Sequence, residues 1–356
     1  MEILKIIGGF VLSLIISLVS IPSIVTVAKT KKLCELPQGR HIHKGVIPTL
    51  GGGAIFGAFF IPIFIFVDDV NSQFLHAFTA SSLVLFFIGI KDDILIIAPK
   101  TKLCGQILAA IIICVIGDIR ITSLQGFLGI QQIPYFVSII ISIVMVVGVV
   151  NAFNLIDGID GLAGLLAVSS SILFSIWFYF ENNFTICIST ACFVGAILGF
   201  LRFNLFSEKN KLFMGDTGSQ LVGLYSIVLA ILFIEANSNT DVNNMVLGSP
   251  IVAFAVLSVP IFDVLRVMFI RLVLKRSIFS PDNNHIHYRL LKLDFTHKQT
   301  DIILVLFNII FAIFVWWLSD YFYINRLALI VILLLMVLFH IPQYFISRKI
   351  NKLKKR

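Results

Sequence analysis

Asn151, Asn154, Asp157 and Asp160 recur every third residue in the segment NAFNLIDGIDG (151–161). On a helix they form one polar stripe beside a smooth stripe of Gly158, Gly161 and Gly164. Such a stripe suits a ligand, while either Asp would also serve as the N-cap of a following helix. Four other segments carry most of the remaining chemistry-capable side chains: RHIHKGVIPTLGGG (40–53), KDD (91–93), LFMGDTGSQ (212–220) and PDNNHIHYRL (281–290). Asp92 and Asp93 are adjacent, so on a helix they point in different directions; one could hold a cation and the other a proton, or both could belong to a solvated charge run. Asp216, with Gly215 and Gly218, opens an apolar run whose first backbone N–H groups can meet a phosphate, unless Asp216 is only the cap. His285 and His287 lack a third and fourth ligand at tetrahedral spacing, so they fit donors to an anion better than a zinc site. Arg40, His43 and Lys44 precede Pro48 and Gly51 to Gly53, a basic loop with a permissive backbone suited to phosphate oxygens. Carboxylates alone would repel a pyrophosphate, and a hard divalent cation between them reverses that sign. The combined chemistry is therefore Mg²⁺-assisted work on a phosphate, with cationic side chains neutralising the transferring and leaving groups.

These residues must be held by apolar elements. Hydrophobic residues make up 58% of the 356-residue chain and charged residues 13%, against about a quarter charged in a soluble domain. The expected fold is an all-α multi-pass membrane protein. About eleven runs (ten to eleven) are long enough to cross a ~30 Å hydrocarbon core: 3–28, 48–67, 74–90, 103–117, 134–152, 162–180, 184–201, 217–236, 246–270, 301–319 and 326–345. Lys and Arg crowd one set of alternate loops, which puts the N-terminus outside and the C-terminus in the cytoplasm, with all five polar segments on the cytoplasmic face. The net charge of +8 then lies on that face, where anionic headgroups of the lipid bilayer account for it without nucleic acid. Residues 1–345 form a single integral membrane domain and 346–356 a basic cytoplasmic tail. The first run is long and followed by its positive cluster, so it is expected to be a retained helix rather than a cleaved signal. The five cysteines suggest neither disulfides nor zinc. Residues 117–134 alternate and contain glycines, which predicts a small external β-hairpin.

In this order the motifs resemble those of the polyprenyl-phosphate N-acetylhexosamine-1-phosphate transferases, the family of the MraY, WecA and TagO types. The matching positions are Arg40, His43-Lys44-Gly45, Pro48, Gly51-Gly52, Asp92-Asp93, Asn151 to Gly161, Met214 to Ser219 and His285-Ile286-His287, spanning roughly residues 29 to 300. The resemblance implies transfer of a sugar 1-phosphate from a UDP-sugar to undecaprenyl phosphate with release of UMP, in a bacterial plasma membrane. It implies Mg²⁺ as cofactor, with Mn²⁺ as a substitute, held by Asp216 and Asp92. It places Asp92 and Asp93 near the attacking lipid phosphate, and Asn151, Asn154, Asp157 and Asp160 in the nucleotide-binding and catalytic stripe. Lys44, with Arg40 and His43, would contact phosphate, and His285 and His287 would close over the sugar and pyrophosphate. The lipid phosphate is already largely ionised near neutrality, its second pKa being about 6, so Asp92 as a general base is a hypothesis only.

The His-Ile-His pattern, in place of three consecutive histidines, favours UDP-GlcNAc over another UDP-N-acetylhexosamine or UDP-MurNAc-pentapeptide. Two departures stand out: Tyr288 where a third histidine is common, and Lys91 before the aspartate pair. Relatives in the family often dimerise, which makes a homodimer an expectation. The rival class is a transporter, which would place charges along a path near the bilayer midplane; Asp263 and Arg266, three apart near the end of a span, read instead as an ion pair.

Overall fold

The computed structural model describes residues 1–31, 33, 47–68, 73–95, 97–238, 245–277 and 284–354. Helices α1 (Glu2–Thr30), α2 (Gly51–Phe66) and α3 (Gln73–Leu95) are followed by α4 (Pro99–Ile111), which continues as a π-turn over Ile112–Ile116. Strands β1 (Ser123–Phe127) and β2 (Ile130–Gln132) lead to α5 (Tyr135–Ile156), α6 (Leu162–Phe180), α7 (Phe184–Phe206) and α8 (Gly215–Ala236). Then come α9 (Ser249–Val256), α10 (Ser258–Val273), α11 (Ile286–Leu291), α12 (His297–Ser319) and α13 (Ile324–Lys354). Among the described residues nine helices are long and apolar enough to cross a membrane, α9 and α10 form one further bent pair, and α2 is a shorter apolar helix. The protein is thus an all-α multi-pass membrane protein, and each of the eleven apolar runs is helical. The helix of α13 runs on through the basic residues after 345.

The ninth run departs from expectation, because α9 and α10 meet at an 85° bend. Pro260 lacks the N–H that would bond the Val256 carbonyl, and its ring crowds that carbonyl. The freed Val256 oxygen accepts instead from Ser170 Oγ and from Asn308 Nδ2, each at 2.9 Å. These buried side chains satisfy a backbone group that water cannot reach.

Helix α8 is the core of the bundle, buried along almost its whole length and packed against α2, α3, α5, α6 and α9. Its Tyr225 is fully enclosed, edge-on to Phe59 and Phe78, and its hydroxyl lies 2.9 Å from both Ser189 and Thr190. Small residues bring α2 and α3 against its N-terminal turn: a Cβ on Gly52 would lie 2.2 Å from the Gly218 nitrogen, and one on Gly89 would lie 2.4 Å from Thr217 Cα. Gly51 and Gly52 of the 51–53 run therefore serve close packing, whereas a Cβ on Gly53 would meet nothing within 4 Å. The foreseen hairpin is present, antiparallel with Phe127 opposite Ile130. It is anchored by Gln125, which donates to Ser249 Oγ at 2.8 Å and accepts from the Ser249 nitrogen at 3.1 Å.

Candidate active site

The half-buried N-terminus of α8 sets the position of Asp216. Gly215 has φ +70°, a left-handed conformation that favours glycine, and a Cβ there would lie 2.1 Å from the Thr49 carbonyl oxygen. The preceding strand-like segment is pinned by Gly51 and Gly52, whose nitrogens donate to Phe213 and Met214 carbonyls at 3.0 and 2.8 Å. Asp93, at the end of α3, caps the helix from outside: its carboxylate accepts from Asp216 N (2.7 Å), Thr217 N (3.2 Å) and Thr217 Oγ1 (2.6 Å). An anion at a helix N-terminus satisfies otherwise orphaned N–H groups. Three donors thus occupy Asp93, which ties α3 to the turn that carries Asp216.

Asp92 points elsewhere, as adjacent helical residues must. One oxygen accepts from Ile97 N at 2.8 Å, and the other lies 3.2 Å from Lys102 Nζ. Lys102, in the first turn of α4, also touches Asp216 Oδ2 and stands 3.5 Å from Asn154 Oδ1. Asn154 in turn donates to Asp216 Oδ1 at 2.5 Å and to Ser219 Oγ at 2.9 Å. Oxygen donors from three helices therefore converge on a single cationic point. Such a hard, oxygen-only set fits Mg²⁺. Among the described residues no three His, Cys, Asp or Glu side chains form a complete metal shell. A cation here would need waters or phosphate oxygens as further ligands, the usual condition for Mg²⁺ at phosphate sites.

The turn 157–161 lies beside this cluster. Burial first, then the neighbouring carboxylates Asp216, Asp160 and Asp93, push the Asp157 carboxyl well above the usual carboxylate range. Asp160 pairs with Lys211 Nζ at 2.7 Å and lies 3.9 Å from His297 Nδ1. Gly158 carries no side chain for a steric reason: a Cβ would lie 2.8 Å from His287 Nε2 and 3.0 Å from the Tyr288 hydroxyl. This contact brings the His-Ile-His segment onto the aspartate turn. His287 is fully buried, neither ring nitrogen has a hydrogen-bond partner among the described residues, and burial lowers its pKa to about 4. At neutral pH it is an uncharged imidazole, able to donate a hydrogen bond but carrying no positive charge. Tyr288, the departure noted in the sequence, packs its ring 4.2 Å from that of His287. Gly158→Val should push His287 away; a shift of about 1 Å at such a position costs on the order of a hundredfold in rate. Assay of turnover beside Mn²⁺ affinity checks this, since the metal affinity should be unchanged.

His285 is held differently. Its Nδ1 lies 2.9 Å from Asp263 Oδ2, while Asp263 Oδ1 accepts from Arg266 Nη2 at 2.7 Å and from the Ile286 nitrogen at 2.9 Å. Arg266 Nη2 also donates to the Asn284 carbonyl at 2.6 Å. The expected ion pair is present, and it does more than pair: it fastens the start of α11 to α10.

The structure thus gathers Asp92, Asp93, Asn154, Asp157, Asp160, Asp216, His285 and His287 around one end of the bundle. Asn151 sits one turn deeper, where its amide exchanges hydrogen bonds with Gln106, which also donates to Gln220 Oε1 at 3.2 Å. That network ties α4, α5 and α8 together. Arg40, His43 and Lys44 lie outside the described residues. Sequence reasoning missed Lys102, one of the Lys and Arg residues that crowd alternate loops; its signal is position, one turn into a helix that begins six residues after Asp93.

The family match takes in the aspartate cluster from Asp92 to Asp216. A family model described as glycosyl transferase family 4 matches residues 75–234, from α3 through α8. The chain is 30% identical over 332 residues to the undecaprenyl-phosphate alpha-N-acetylglucosaminyl 1-phosphate transferase of Haemophilus influenzae, covering 91% of each protein. It is 31% identical over 338 residues to the enzyme of the same name from Pasteurella multocida, covering 93% of this chain and 92% of the relative. With that of Escherichia coli K12 it shares 29% over 288 residues, 79% of this chain and 75% of the relative.

Proposed function

Because this chain belongs to the polyprenyl-phosphate N-acetylhexosamine-1-phosphate transferases, we propose that it transfers N-acetylglucosamine 1-phosphate from UDP-GlcNAc to undecaprenyl phosphate, releasing UMP. An oxygen of the lipid phosphate forms a bond to the sugar-bearing phosphorus, and the bond from that phosphorus to the bridging oxygen of UMP breaks. The observation that carries this reading is the convergence of Asp92, Asp216, Asn154 and Lys102 on one point, beside the turn that His287 covers. Asp92 and Asp216 would hold Mg²⁺, which supplies charge neutralisation on the pyrophosphate when bound. Asn154 orients Asp216, Asp93 fixes the helix that carries it, and neutral His287 donates to a phosphate or sugar oxygen. The acceptor phosphate is ionised near neutrality, its second pKa being about 6, so no side chain needs to remove a proton from it.

The site would face the cytoplasm of a bacterial cell, where UDP-sugars are found. A membrane-impermeant thiol reagent should then reach a cysteine placed at Leu128, the hairpin tip, and not one at Glu208, in protein lacking Cys34 and Cys104. The reverse pattern would invert the orientation.

The test of the activity is UMP release by purified protein with undecaprenyl phosphate and Mg²⁺, offered separately UDP-GlcNAc, UDP-GalNAc and UDP-MurNAc-pentapeptide, with minus-lipid controls. Lipid-dependent UMP from UDP-GlcNAc alone is the expected result. UMP from another donor alone would move the specificity within the family. No UMP from folded protein with any of the three would overturn the assignment of donor and acceptor.

A further inference from the structure

Lys102 raises a question that the transfer reaction leaves open. Its ammonium stands where the oxygen donors converge, 3.2 Å from Asp92 Oδ2, in contact with Asp216 Oδ2 and 3.5 Å from Asn154 Oδ1. The two carboxyl groups thus face each other across a single ammonium. Two carboxylates at that separation repel strongly in a partly buried site unless a positive charge lies between them. Lys102 supplies that charge, and its side chain is only 15% exposed. An ammonium and a divalent cation cannot share the point, because both need the same carboxylate oxygens and repel each other.

We propose that Lys102 is a displaceable occupant of the cation site: it holds Asp92 and Asp216 together in the metal-free enzyme and is expelled when the divalent cation enters. The inference rests on the metal reading given above. The donors are already assembled before the cation arrives, so little reorganisation is needed on binding. The cost is competition, since the cation sees only the fraction of molecules whose lysine has swung out, and its apparent affinity falls by that fraction. Lysine suits the task better than arginine. It is a compact charge on a flexible four-carbon stem, whereas a guanidinium would lock onto carboxylates bidentately. Once released, the ammonium remains on its stem near the site and can face the phosphates that arrive with the substrate, so nucleotide binding would favour metal loading.

The experiment measures Mn²⁺ binding by electron paramagnetic resonance on the full chain in detergent, without nucleotide or lipid. It compares wild type with Lys102→Met and Lys102→Gln, which keep much of the stem and lose the charge. Thermal melting in EDTA and in Mn²⁺ is recorded alongside. Both variants should bind Mn²⁺ about tenfold more tightly than wild type or better, having no occupant to displace. They should melt lower than wild type in EDTA, where Asp92 and Asp216 face each other unscreened, and should gain more from Mn²⁺ than wild type does. Equal or weaker Mn²⁺ affinity in the variants would overturn the inference and leave the metal site standing. Variants that stay unfolded in Mn²⁺ would also overturn it, since the lysine would then do something a cation cannot replace. Absence of Mn²⁺ binding in wild type and variants alike would remove the metal reading itself, and the inference with it.

Discussion

Asp216→Asn should abolish lipid-dependent UMP release, by on the order of a thousandfold or more, in a protein that still folds and inserts. The two halves of that expectation have separate origins. Folding should survive because the bond that fixes this turn runs from the backbone: the Asp216 nitrogen donates to Asp93 Oδ1 at 2.7 Å, and an Asn has the same nitrogen. The side-chain volume is also unchanged, so the close packing of Gly52 and Gly89 on this turn is undisturbed. Turnover should fail because the oxygens of Asp216 meet both Asn154 and Lys102, and an amide removes the negative charge on which a hard cation depends. It also sets an NH₂ group against a donor, either Asn154 Nδ2 or the Lys102 ammonium. The loss should persist across a wide range of Mg²⁺, since the missing ligand cannot be restored by mass action alone. Near-normal turnover in folded Asp216→Asn would take Asp216 out of the metal role and leave the site without its central carboxylate.

The sequence was most legible where one physical pressure acts on many residues. Lipid demands long apolar helices, so the eleven runs could be located from hydropathy, and the hairpin from alternation with glycines. The kink between α9 and α10 was not read, although Pro260 marks it, because its stability depends on Ser170 and Asn308 reaching one carbonyl from distant parts of the chain. The same limit applies to the site. Residue types and spacing picked out Asp92, Asp93, Asn154, Asp157, Asp160, Asp216, His285 and His287, but spacing does not say which carboxylate faces the reaction. Asp92 and Asp93 are equivalent in sequence, and only the approach of α8 makes one a helix cap and leaves the other beside Lys102. Asn151 fits the stripe at three-residue spacing, yet Gln106, itself held by Gln220, claims its amide. Lys102 looked like any other positive loop residue, since burial among carboxylates is a tertiary property. His287 reads in the sequence as a donor to an anion, but its enclosure over Gly158 is again a tertiary property.

Asp263→Ala should be the most damaging substitution outside the cation cluster, costing roughly 3–5 kcal/mol through the buried charge that it leaves unpaired. Asp263 is 1% exposed and Arg266 8%, so neither charge is screened by water. One carboxylate serves three donors on two elements: the Arg266 guanidinium, the His285 ring and the Ile286 backbone nitrogen. Removing it strands the guanidinium, frees His285 to rotate, and uncaps the six-residue helix α11 at the point where the chain enters it. The consequence should pass to His287, which rides on that helix and reaches Gly158 only while α11 is held. Turnover should therefore fall along with stability, while Mn²⁺ binding by the protein that remains folded should be intact, because no atom of Asp263 approaches Asp92 or Asp216 in the contacts described above. Asp263→Asn separates charge from geometry: its amide oxygen can still accept from Ile286 or Arg266, so it should melt between wild type and Asp263→Ala. Thermal melting, turnover and Mn²⁺ affinity measured on the same preparations decide the matter. Wild-type melting and turnover in Asp263→Ala would show that α11 is held by other contacts, and a loss of Mn²⁺ affinity would mean that the two halves of the site are coupled through more than His287.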